Sequence, residues 1–427
     1  KPSQAVHDIA KVESVLQTGR LGIDLYRTED CPTDKVRLKI YHPQAPMSLS
    51  AIMPMLWNMG LQALTETPFE ISPDGVERTV WVHDFMLEVE PSCRDFALEK
   101  IKADFEEALE NIWSGVIEND ALNRLVLGGG LNGRNTVIIR AYVRYLRQTN
   151  SPFGLRYVEK CLTNNPAICR DIVALFYALL DPKKANDKDA QTISARIDAA
   201  LQSVPSLDED RILRSILGLV KASLRTNFFQ ADDKGAAKPC LSIKLDSKQI
   251  TEIPEPKPYR EIFVYSPRVE AVHLRSDVIS RGGIRWSDRQ EDFRTEVLSL
   301  MKAQQVKNSV IVPMGAKGGF VVKHPPAGND RAALQAEGIA CYKTFVRGLL
   351  DITDNRKGAK IVPPKDVKRR DGDDPYLVVA ADKGTATFSD IANGLSAEYG
   401  FWLGDAFASG GSAGYDHKKI GITARGA

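Results

Sequence analysis

The chain has no apolar run approaching the ~18 residues that a membrane-spanning helix requires, and Lys1 to Val15 lack the apolar segment of a signal peptide. Net charge is almost absent: 57 Lys and Arg against 55 Asp and Glu leave +2. That balance gives no electrostatic footing for nucleic acid or an anionic membrane, so neither is expected as a partner. Cysteine is sparse and scattered, at Cys31, Cys93, Cys161, Cys169, Cys240 and Cys341. No two form a C-x-x-C pair, which removes the usual zinc and redox motifs. In a chain of this size such cysteines read as buried, reduced thiols of a cytoplasmic protein. There is no internal repeat and no low-complexity tract. An initiator Met is also missing, which gives the expectation of an internal piece of a longer chain.

What is present is a long globular sequence. At 427 residues it has room for about three domains, and three unlike blocks can be read. In residues 1–95, Val36 to Tyr41 alternates as a strand and a helix follows to Met59, with Ser48 or Ser50 as its cap. Leu61 to Ile71 and Thr79 to Val89 alternate again around a Pro73–Gly75 turn. Strand, helix, strand, strand suits a ferredoxin-like α+β domain. Residues 96–227 read as all-helical, with helical periodicity over Phe96–Ile117, Thr136–Leu146 and Pro166–Leu180. Ser206 opens a further helix with acidic residues in its first turn. Gln230 to Gly235 reads as a linker. Residues 228–427 alternate short apolar strands (262–265, 310–312, 320–322 and 376–380) with helices, clearest at Asp330 to Leu350. That pattern predicts an α/β domain with a largely buried sheet.

Gly128 to Gly133 matches G-x-G-x-x-G literally. The preceding Asn119 to Leu127 reads as helix rather than strand, and no acidic residue follows at the spacing a dinucleotide site needs. The match is therefore read as a glycine-rich helix junction, and no cofactor-binding residues are assigned in this chain. Asp416–His417 offers metal-ligand types without a second pair, so no metal is expected.

The chemistry concentrates in residues 281–320, RGGIRWSDRQEDFRTEVLSLMKAQQVKNSVIVPMGAKGGF. Two glycines sit beside arginines, a helix follows, and a strand ends in a glycine-rich turn holding Lys317. Lys302, Lys307 and Lys317 are spread over helix end, strand and turn. Such a cluster can hold a small dianion by its carboxylates and leave one amine for chemistry. Taken singly, each lysine reads as solvated surface charge, and Asp382 as a turn cap.

From about Glu261 onward the chain resembles the large NAD-specific glutamate dehydrogenases of bacteria. The resemblance is carried by GGIRWSDRQEDFRTEV, KAQQVKNSVIVPMGAKGGF, ACYKTFVRGLLDITDN, AADKGTATFSDIAN, GFWLGDAFASGGS and YDHKKIGITARGA. The earlier blocks resemble that family's ACT-like and helical domains. The resemblance implies a substrate-binding domain of the amino-acid dehydrogenase type in the third block. It implies a nucleotide-binding domain beyond Ala427, absent from this chain. The activity implied is conversion of L-glutamate to 2-oxoglutarate and ammonia with NAD, by a homo-oligomer.

The same resemblance implies roles by position. Lys317 would be the catalytic lysine, with Gly318 and Gly319 letting substrate approach the backbone. Asp382 would shuttle the proton to and from the amino nitrogen. Lys307 would hold the α-carboxylate with Gln304 on the same helical face. Arg281, before Gly282 and Gly283, falls where the smaller enzymes place a lysine for the side-chain carboxylate. An arginine there is a departure, because it binds carboxylates with a different geometry. The serine expected to complete that site is absent as well. Two rival readings stand beside this one: a related amino-acid dehydrogenase, and a non-catalytic regulatory or assembly segment of a large enzyme.

Overall fold

A computed structural model describes residues 2–29, 31–75, 77–94, 96–307, 314–328, 330–381 and 388–412. The chain forms two compact units. One comprises Lys1–Arg140 with Leu155–Val173; the other comprises Ala141–Gly154 with Ala174–Ala427.

The first unit opens with α1 (Pro2–Thr18), β1 (Gly22–Tyr26), β2 (Lys35–Pro43), α2 (Leu49–Asn58), β3 (Leu61–Ile71), β4 (Val80–Val89) and α3 (Leu98–Trp113). The strands pair antiparallel in the order β1-β2-β4-β3. Alternation along the strands splits their side chains between two faces. Val36, Leu38, Ile40, Phe85 and Leu87 meet Ile52 and Leu56 of α2 and Phe105, Leu109 and Ile112 of α3. Tyr41, Val80 and Val82 turn the other way and meet Val12 and Val15 of α1. The bounds of β3 are those the alternation predicts. Neither α1 nor β1 was legible. In β1 the buried Asp24 interrupts the apolar pattern, and it is held by Lys102 and His7.

Further helices in the chain are α4 (Leu125–Gly129), α5 (Gly133–Arg147), α6 (Leu155–Asn164) and α7 (Pro166–Leu180); α5 and α7 give residues to both units. The Asn119–Leu127 helix is shorter than read: a 3-10 turn at Ala121–Arg124 runs into α4. Gly130 ends α4 in the left-handed region, at φ 62°. A side chain at Gly133 would stand 2.8 Å from Ile117 Cδ1 and 3.2 Å from Ala108 Cβ. The glycine run therefore serves helix packing, as its context implied.

The second unit continues with α8 (Asp187–Leu201), α9 (Leu207–Lys221), β5 (Ser223–Thr226), β6 (Leu241–Leu245), β7 (Arg260–Tyr265), β8 (Val269–Arg275), β9 (Gly283–Trp286), α10 (Phe293–Lys307) and β10 (Ala316–Val322). After these come α11 (Arg331–Leu350), β11 (Asn355–Lys357), β12 (Lys360–Val362), β13 (Ala380–Ala381) and α12 (Ser389–Glu398). Ser206 caps α9 by accepting from Glu209 N, ahead of three acidic residues in its first turn. Asp330 caps α11 through Ala332 N and Ala333 N. Seven strands form one mixed sheet in the order β13-β9-β10-β8-β7-β6-β5. The pairs from β5 to β10 are antiparallel, while β10, β9 and β13 run parallel.

Three local expectations change here. Gln230–Gly235 is no linker but part of the loop joining paired strands β5 and β6, because β5 already belongs to this sheet. Residues 376–379 form no strand; the ladder begins only at Ala380. Lys317 lies in a buried strand rather than in a glycine turn. Its glycines are there because neighbouring side chains come too close for a Cβ: Ile284 Cγ1 at 2.9 Å for Gly318 and Val297 Cγ2 at 2.3 Å for Gly319. The strand expected at 310–312 lies outside the described residues.

Candidate active site

Register across the sheet fixes which way the site residues face. One row runs Arg225, Lys244, Ile262, His273, Gly318, Ile284, Ala381 from β5 to β13. Its face is covered by α11 and α12, with Phe320, Tyr342, Phe345, Leu349 and Leu395 in the shared core. The neighbouring row runs Ser223, Leu245, Glu261, Leu274, Lys317. Its side chains point the opposite way. On that side Glu261 pairs with Arg294 of α10 and accepts from Tyr145 Oη at 2.8 Å. Arg294 Nε reaches the same carboxylate at 2.8 Å. Arg294 and Glu261 are 1% and 0% exposed, so this charge pair pins α10 to the sheet.

Lys317 therefore projects toward the α10 side and is only 5% exposed. Arg281 is half-buried and forms a bridge to Gly315 two residues before Lys317. Its N–H donates to Met314 O at 3.2 Å, and its carbonyl accepts from Ala316 N at 3.0 Å. Among the described residues its guanidinium carries no ion pair. Its charge is felt by Tyr376, whose phenol is raised by burial and pulled back down by Arg281 and Arg275. Gly282 has no alternative: an added Cβ would lie 1.4 Å from Ala316 O. Gly283 pairs with Ala380, and Ile284 with Ala381, across the β9–β13 ladder.

The structure thus brings together Arg281, Gly282, Gly283 and Lys317 on neighbouring strands. Asp382 follows β13 directly but lies outside the described residues. Gly318 and Ala381 sit in one row two strands apart, about 10 Å by the usual strand spacing. Gln304 is half-buried on α10, and Lys307 is that helix's last residue. Lys302 donates to Glu255 O at 3.2 Å and is not drawn into the group. Asp416 and His417 lie outside the described residues, and among those described no group of His, Cys, Asp and Glu is arranged to hold a metal.

Sequence reasoning missed the charges on the opposite face. Arg225, Lys244 and Arg275 lie within strands, and they meet Asp354, Asp371 and Asp374. The available signal was a charged residue inside an apolar strand, as in Leu241–Leu245 and Val269–Arg275. His273 stands in the same row, 1% exposed, with neither ring nitrogen hydrogen-bonded among the described residues. Burial, with Arg275 adding to it and Asp374 opposing, pushes its pKa down to about 3. An unfolded histidine takes a proton near pH 6.5, so the fold rejects a proton that the unfolded chain accepts. Stability from this group is full above about pH 6.5 and is lost as pH falls toward about 3. Going from about pH 7 to about pH 5.5 should cost ~1 kcal/mol from this residue. Unfolding midpoints of the parent and of His273→Met across that range would check it; parallel pH slopes would refute the assignment.

Comparison with known proteins adds to this geometry. Residues 196–427 match the family described as bacterial NAD-glutamate dehydrogenase, catalytic domain. Residues 117–182 match glutamate dehydrogenase, helical motif 3, and residues 20–101 match glutamate dehydrogenase, ACT3 domain. A protein of Halomonas elongata named NAD-specific glutamate dehydrogenase is 51% identical over 99% of this chain and 26% of its own length. One of the same name from Pseudomonas aeruginosa is 51% identical over 100% of this chain and 26% of its own. One from Mycobacterium tuberculosis is 48% identical over 100% and 27%. The chain spans about a quarter of the length of these relatives. With more than half of its residues matched by the catalytic-domain family, the chain belongs to the bacterial NAD-glutamate dehydrogenases.

Proposed function

We propose that the protein containing this chain oxidatively deaminates L-glutamate to 2-oxoglutarate and ammonia, with NAD as hydride acceptor. The observation that carries this is the placement of half-buried Arg281, with no ion pair among the described residues, on a bridge to Gly315, two residues before buried Lys317. A substrate with two carboxylates needs two cationic anchors, and imine hydrolysis needs an acid–base pair. In this reading Arg281 holds the side-chain carboxylate, and Lys307 with Gln304 holds the α-carboxylate. Gly282 and Gly283 leave backbone room beside the substrate. Lys317 activates water and polarises the carbonyl and iminium carbon, and Asp382 moves the proton to and from nitrogen. NAD enters because the relatives carry it in their names. The literal glycine fingerprint at Gly128–Gly133 is a helix junction, and no residue is assigned to the dinucleotide. No step is therefore assigned through NAD.

The reading carries a domain order with it: an ACT-like, ferredoxin-like domain near 1–95, a helical domain near 96–227, and the substrate domain after it. The antiparallel order β1-β2-β4-β3 with α2 and α3 on one face supports the first of these. A reduced, cytoplasmic setting is supported by six cysteines, none of them in a disulfide.

Steady-state kinetics of the intact protein test the site. Lys307→Ala should weaken every 2-amino acid alike, whereas Arg281→Ala should weaken glutamate selectively. Loss of one charge-assisted carboxylate contact is worth ~2–3 kcal/mol, or roughly 30- to 150-fold in kcat/KM. Equal losses with glutamate and with an apolar amino acid in Arg281→Ala would remove that residue from the side-chain site. Absence of any glutamate-dependent NAD reduction by the parent would overturn the reading itself.

A further inference from the structure

Three stretches of chain bring in the candidate site residues: the loop from β8 to Arg281, the start of β10 with Lys317, and residues 374–381 ahead of Asp382. All three converge on Arg275, which is 3% exposed. Its backbone pairs with Ala316, one residue before Lys317. Its Nη1 donates to Val278 O at 3.3 Å, inside the loop that ends at Arg281. The same nitrogen donates to Tyr376 O at 2.8 Å and to Asp374 Oδ1 at 3.0 Å, while Nη2 donates to Asp374 Oδ2. Asp374 is itself fixed from two further sides. Lys244 Nζ donates to it at 2.7 Å, and its N–H donates to Asp354 Oδ2 at 2.7 Å. Ser276 closes the remaining gap, donating to Gly315 O from both N, at 3.0 Å, and Oγ, at 2.7 Å.

We propose that Arg275 is a positioning residue for the reaction, a single planar fork that sets the Arg281 loop, the Lys317 strand and the segment leading to Asp382 relative to one another. This rests on the site reading given above. Charge alone does not account for the arrangement, because the two carbonyl contacts lie off the carboxylate. A lysine could keep an ion pair with Asp374, but one ammonium on a flexible stem cannot reproduce the fork. Misplacement of reacting groups by about 1 Å costs on the order of 100-fold in rate.

The test is kinetics and thermal unfolding of the intact enzyme carrying Arg275→Lys, with Lys317→Ala alongside. Arg275→Lys should keep the parent's unfolding midpoint and KM for NAD, yet lose about 10- to 100-fold in kcat with glutamate. Full kcat in a folded Arg275→Lys protein, beside an inactive Lys317→Ala, would overturn the positioning role and leave the site reading standing. An active Lys317→Ala would overturn both. If Arg275→Lys fails to fold, Asp374→Asn takes its place. That variant removes the carboxylate that sets the plane of the fork, so it should show the same kcat-dominated loss. Parent-like kcat there would overturn the inference.

Discussion

Turnover of the intact enzyme should fall by about 10³-fold or more when Lys317 is replaced by alanine, since general acid–base groups typically contribute 10²- to 10⁴-fold. The residue is built for the task by its surroundings. It stands on a central strand between β8 and β9, it faces the α10 side, and the bare glycines 318 and 319 follow it. The residue is only 5% exposed, and charges act more strongly in such low-dielectric surroundings. The strand location also changes what is expected of stability. Removing the side chain gives up packed methylenes and the amine's own contacts, so the unfolding midpoint should fall while the fold is kept. Activity within tenfold of the parent would sink the catalytic assignment; a collapse of the fold would show that the lysine's main task is structural.

The largest loss of stability should follow Asp354→Ala. Asp354 is fully buried and accepts from Arg225 Nη1 at 2.9 Å and Nη2 at 3.1 Å, from Arg369 at 3.2 Å, and from Asp374 N at 2.7 Å. Arg225 is also at 0% exposure and, among the described residues, would keep Asp371 alone as an ionic partner, at 2.6 Å from Nε. Truncating one member of a buried ionic network leaves the other charge stranded, at a typical cost of ~3–5 kcal/mol. Urea unfolding of the second unit's signal should show it, with Asp354→Asn intermediate because it keeps an acceptor. A change below ~1 kcal/mol would mean that water or rearrangement satisfies Arg225 more easily than its burial implies.

Local periodicity made much of the scaffold legible. Leu61–Ile71 and Pro166–Leu180 were bounded correctly because apolar spacing, a turn and a proline at the first helical position all agree. What failed depends on partners far away in sequence. The strand Ser223–Thr226 carries a buried arginine whose carboxylate lies 129 residues on, at Asp354. No window along the chain contains both. The site divides in the same way. Arg281, the paired glycines and Lys317 could be grouped by spacing. The strand setting of Lys317 could not, because two consecutive glycines read as a turn until Ile284 and Val297 are seen pressing against them. Arg275 was invisible as a hub for the same reason, since its contacts to Asp374 and Tyr376 span 99 and 101 residues.

The seven-strand register makes this domain sensitive to odd and even numbers. Lys317 and Gly318 belong to adjacent rows, so one residue decides which side of the sheet a group reaches. With the start of β10 held in register, a single-residue insertion between Ala316 and Lys317 would carry the lysine to the α11 side, into the apolar layer around Phe345. Phe320 would be sent out toward α10. Two inserted residues would restore the sidedness and only shift the strand along. Length changes in β10 are thus governed by parity, whereas the turn between β11 and β12, at the exposed residues 358 and 359, is free of that constraint. A library of insertions scored for activity should show this contrast as a pattern of alternating tolerance along the chain.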